Sequence, residues 1–62
     1  MRSASLEARA IVLKLMTRVN GLKLDDAKTC MVTCLEDIIS ITELSRKQLS
    51  FTREVISEIE KL

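Results

Sequence analysis

The sequence predicts an all-α fold, and three observations carry that prediction. Apolar residues recur at four- and three-residue intervals along most of the 62 residues, the repeat that lines one side of a helix. One glycine and no proline leave little of the turn chemistry that strands and hairpins require. The 47% apolar content is Leu, Ile, Val, Ala, Met and Cys with a single aromatic, Phe51, the side chains of helix–helix packing.

The first helix is expected over residues 4–20, with Ser3 or Ser5 capping its free N–H groups. Asn20-Gly21 closes it, because glycine adopts the left-handed conformation at no steric cost. Within it Ala8, Val12, Leu15, Val19 and Leu22 keep the 4-3-4-3 spacing of a packing seam. Leu6 and Leu13 fall on another side. At about 100° per residue the apolar arc spans roughly 200°, more than one neighbouring helix covers.

The second helix is expected to start at Asp25 or Asp26, whose carboxylates suit the positive end of the helix dipole. Its seam is Ala27, Met31, Cys34, Ile38 and Ile41, interrupted by Ser45, Gln48 and Thr52 and resumed at Val55, Ile59 and Leu62. Ser40-x-x-Glu43 and Ser45-x-x-Gln48 both match the capping box that starts a helix. The lack of Gly and Pro favours one unbroken helix over 25–62; the seam fault and the boxes favour a break near 40–50. The expectation is one all-helical domain over 1–62, a helical hairpin with a short first helix and a long second helix. A three-helix bundle is the alternative, and either is expected to assemble as a dimeric helical bundle, because a chain of this size buries only about 60% of its surface alone.

Function is bounded mainly by what the sequence lacks. There is no histidine and no glycine-rich phosphate loop, so no catalytic residue, cofactor or metal site is expected and the chain is read as a non-enzyme. Cys30 and Cys34 stand four apart on one helical face. Zinc needs about four ligands, so two thiols complete a site only if a second copy supplies the rest. Core packing is the reading preferred for both, since free cysteine behaves as a small apolar residue. The longest uncharged stretch, residues 29–35, is too short to span a bilayer. Residues 1–18 share the basic, acid-poor, amphipathic character of an organelle transit segment, yet they also complete the first packing seam.

Net charge is +1, but residues 1–23 carry Arg2, Arg9, Lys14, Arg18 and Lys23 against Glu7 alone, while the rest carries five bases against eight acids. The stretch 41–62 resembles the helix-turn-helix of small regulators, with Leu44, Val55, Ile59 and Leu62 at its core positions. Gln48 and Leu49 depart from that pattern, and Glu54, Glu58 and Glu60 would face phosphates. Arg9, Lys14 and Arg18 on helix 1 are candidate nucleic-acid contacts, a basic stripe on a dimer, and in length and general organisation the chain resembles the small dimeric hairpins that bind RNA to control plasmid copy number.

The favoured reading is a cytoplasmic protein–protein interaction module, an adaptor, inhibitor or chaperone-like regulator. Its partners are expected to be a second copy of itself and another protein, with no membrane contact. The expected interface is Ala8, Val12, Leu15, Val19, Met31, Cys34, Ile38, Ile41, Leu44, Phe51 and Val55. The alternative is a dimeric RNA- or DNA-binding regulator.

Overall fold

The computed structural model describes residues 3–62. It contains three helices packed together, α1 (Ala4–Arg18), α2 (Leu24–Ile41) and α3 (Arg46–Lys61), and no strand among the described residues. Ser3 is the cap of α1: its hydroxyl accepts the Leu6 N–H at 3.2 Å. The helix closes at Val19, whose N–H donates to the Leu15 carbonyl at 3.0 Å. Gly21 then takes φ +83°, the left-handed turn expected of it. The cap of α2 is Lys23, an extended residue with no side-chain cap bond, so the expected capping role of Asp25 and Asp26 is not observed. Both sit in the first turn instead, where negative charge still complements the dipole.

The preferred expectation of one helix over 25–62 meets an interruption at 42–45, and the three-helix alternative fits the observed packing. The lack of Gly and Pro argues for continuity only where a helix–helix turn needs a residue at positive φ. No non-glycine residue among the described residues has one. The chain turns through extended backbone, from Thr42 (φ −118°, ψ 135°) to Ser45 (φ −64°, ψ 163°). The Ser45-x-x-Gln48 capping box forms in full: Ser45 Oγ accepts from Gln48 N–H at 3.2 Å, and Gln48 Oε1 accepts from Ser45 N–H at 3.0 Å. Such a box stabilises a helix start by about 0.5–2 kcal/mol. The polar gap in the seam is therefore the beginning of α3. The other box has no such role, since Ser40 lies in the last turn of α2.

The core is small and sits at one end of the molecule. Ala8, Val12, Ala27, Val55 and Ile59 are buried, with Leu15, Met31, Leu35 and Leu62 among the half-buried residues packed on them. Both α2 and α3 pack on α1, the double cover that its wide apolar arc requires. Ala8 and Ala27 lose all exposure, because a methyl side chain lets neighbouring helices approach closely. Between Ala27 and Val55, however, no side chain is buried.

That asymmetry follows from where α1 lies. Its first turn, at Ala4 and Ser5, sits beside Glu54, Ser57, Glu58 and Lys61. Its later turns sit beside Leu24 and Leu62 and beside Met31. α1 thus covers the first half of α2 and the last half of α3, and leaves the end of the α2–α3 pair without a lid.

Candidate protein-binding surface

Among the described residues seven large apolar side chains remain exposed: Leu6, Leu13, Val19, Leu24, Ile38, Ile41 and Phe51. Scattered single exposures are ordinary, but these fall into groups. On α2, Cys34, Ile38 and Ile41 are all exposed and share a side at about 100° per residue. Ile38 projects within about 20° of Ala27 and Met31, the residues that pack towards α1. It continues their stripe past the point where α1 begins. Ile41 is 82% exposed, and Phe51 on α3 is also open, while Leu44 in the connection is half-buried.

On α1 a second stripe, Leu6 (61%) and Leu13 (62%), lies off the main seam, with Leu13 at the edge of the groove beside Leu24 and Leu62. These residues project about 180–200° from Leu15, so the helix presents apolar side chains on two opposite sides. The spacing of Leu6 and Leu13 by seven, off the main seam, is the signal that marks them as surface candidates. Their absence from the expected interface comes from following one seam only.

The expected interface residues separate into three groups. Ala8, Val12 and Val55 are buried within the chain, where a partner cannot reach them; α3 supplies the cover that a second copy was expected to give. Leu15 and Met31 are half-buried beside the groove between α1 and α2. Val19, Cys34, Ile38, Ile41 and Phe51 are exposed and available.

The cysteines correct the sequence reading most directly. Cys30 and Cys34 are free and exposed and are not wedges in the core. α2 packs against α1 and α3 together, so its inward arc runs through Ala27, Met31, Val32 and Leu35, and the thiols fall outside it. No group of three or more metal-ligating side chains occurs among the described residues.

The grooves are open to solvent and mixed in chemistry. The one between α2 and α3 is lined by Glu36, Ile39 and Ser40 on one side and Arg53, Ile56 and Glu60 on the other. No buried side-chain polar atom among the described residues lacks a hydrogen-bond partner, so no orphaned group there marks a ligand position. Lys28 Nζ donates to the Glu60 and Leu62 carbonyls, each at 3.3 Å, which ties α2 to the end of α3.

Arg9, Lys14 and Arg18 are exposed, but they do not form one stripe. Arg9 borders the groove with Leu13, Leu24 and Leu62, whereas Lys14 and Arg18 border the groove with Ile11, Leu15 and Met31. Arg9 and Lys14 project about 140° apart. Set against known protein families, curated proteins and solved structures, the chain matches none. No helix is long and apolar enough to cross a membrane among the described residues.

Proposed function

We propose that this chain is a non-enzymatic protein–protein interaction module, an adaptor, inhibitor or chaperone-like regulator, that works as a homodimer through its exposed apolar helix faces. The observation that carries the reading is the uncovered end of α2–α3, where Cys34, Ile38, Ile41 and Phe51 stand open and the chain buries no side chain. Burying a Leu- or Ile-sized side chain contributes about 1.5–3 kcal/mol, so a few such contacts support useful affinity. A helical target suits this surface, since helices dock by apolar side chains spaced three and four apart. Two exposed free thiols suit a reducing compartment, and we place the protein in the cytoplasm.

The test is affinity isolation of the tagged protein from its own cells, followed by the mass of the intact complex. Phe51→Asp should release the partner while leaving the helix content unchanged. Retention of the same partner by that variant would overturn the reading.

A second reading has one observation in its favour. Arg9, Lys14 and Arg18 make no ion pair with the described residues, which leaves their charge available to phosphates. Titration of RNA or DNA at two salt concentrations separates the readings. Binding that weakens steeply with salt, and is lost when the three bases become glutamine, supports nucleic-acid recognition.

A further inference from the structure

Packing leaves the two cysteines unexplained. Free cysteine is among the residue types most often buried, yet Cys30 and Cys34 are both free and both exposed. They lie one turn apart on the same side of α2, outside the arc that packs on the neighbouring helices. We propose that the two thiols act together as a chelating pair for a soft metal ion of the Cu(I) class, one ion per chain. The proposal goes beyond the interaction reading and does not depend on it.

Three observations support it. The first is span. Side chains four apart on a helix hold their Cβ atoms about 5–6 Å apart, too far for a sulfur–sulfur bond of about 2 Å. An ion held in line between two thiolates, at about 2.3 Å from each sulfur, sets the sulfurs about 4.6 Å apart. The two side chains reach that span by leaning towards each other, with the helix intact. The spacing that excludes a disulfide therefore suits a bridging ion. The second observation is ligand number. No group of three or more metal-ligating side chains occurs among the described residues, so the pair offers two donors. Zinc takes about four ligands. Thiolates also favour Cu(I), which two sulfurs in a line satisfy.

The third observation is charge. Along α2 stand Asp25, Asp26, Glu36 and Asp37 against one base, Lys28. Asp26 is four residues before Cys30 and Asp37 three after Cys34, and all four side chains are exposed on one side of the helix. Lys28 is engaged elsewhere, its Nζ donating to the Glu60 and Leu62 carbonyls at the end of α3. The surface around the thiols therefore draws cations. On binding, each thiol releases its S–H proton and each sulfur bonds to the ion. Two protons leave and no electron moves.

The test is titration of the full chain with Cu(I), supplied as its acetonitrile complex under argon, in competition with a chromophoric Cu(I) chelator. The expected result is one ion held per chain, with native mass spectrometry showing the mass of the ion gained and two protons lost. Cys30→Ser and Cys34→Ser should each lower the affinity by about 100-fold or more, because the second bond is then no longer intramolecular. A variant with both Cys34→Ser and Ser40→Cys keeps two thiols but sets them about 15 Å apart along α2. It should bind as weakly as the single-thiol variants. All three altered positions are exposed, so the helix content should not change. Unchanged affinity in the separated-thiol variant or in either single-thiol variant overturns the proposal. So does a ratio of one ion to two chains, or of two ions to one chain, since the thiols would then act separately.

Discussion

Ile59→Ala probes the core most sharply. Ile59 has no exposed surface and is the largest fully buried side chain, at the point where α3 packs with Ala8, Val12 and Ala27. Removing three carbons there loses their transfer free energy and leaves a cavity, a cost of about 2–5 kcal/mol. The total stability of a chain this size is about 3–9 kcal/mol, so the substitution removes about a fifth of it or more. In urea, with a slope of about 1 kcal/mol/M for a small protein, the unfolding midpoint should fall by about 2 M or more. Thermal unfolding should shift down by at least about 8 °C, given about 4–8 °C per kcal/mol for domains of 60–100 residues. The loss belongs to the single chain, so it should not depend on protein concentration. Ile41→Ala is the contrast: Ile41 is 82% exposed, its single-chain effect should stay within about 0.5 kcal/mol, and any larger loss should grow with concentration. A midpoint shift below about 0.5 M for Ile59→Ala would refute the packing described here.

Three further outcomes are expected. Ser45→Ala removes one half of the capping box that starts α3 and should cost about 1 kcal/mol in urea unfolding; an unchanged midpoint would mean the 42–45 turn does not depend on that cap. Gly21 sits at φ +83° with nothing within 4 Å of an added Cβ, so Gly21→Ala should lose about 1–2 kcal/mol through backbone strain alone, and Gly21→Asn should lose less. Mild oxidation of the unmodified protein should produce no disulfide within one chain. Side chains four apart on a helix hold their Cβ atoms about 5–6 Å apart, beyond the about 3.5–4.5 Å a disulfide needs. A two-dalton mass loss mapped to the peptide containing Cys30 and Cys34 would show that α2 unwinds there.

The helices were legible because their signals are local. The Ser3 cap, the Gly21 stop and the Ala8–Val12–Leu15 seam all depend on residues within a turn or two of each other. The break at 42–45 was harder to read because it uses extended backbone, which any residue adopts, and so carries no Gly or Pro marker. The Ser45-Gln48 box and the polar fault in the seam were its signs. Which side of α2 would be buried was not legible at all. A seam through Ala27, Met31, Cys34 and Ile38 describes a helix with one neighbour, whereas α2 has two, and the buried arc turns towards Val32 and Leu35. Cys34 falls outside that arc, and Ile38 is open because α1 starts too far along the bundle to cover it. That offset arises from how the three helices pack, and no single segment encodes it. The same reasoning explains why Ala8, Val12 and Val55 read as an interface between chains and are instead the core of one.

Small-angle scattering over a concentration series tests the central claim, that the exposed stripes on α1 and α2 are contact surfaces. One copy has a Cα radius of gyration of 11.6 Å, and a compact pair of 62-residue chains should have about 14 Å. The account predicts a forward-scattering mass twice that of one chain, with a radius near that larger value. A single-copy mass with a radius near 11.6 Å at every concentration would contradict it.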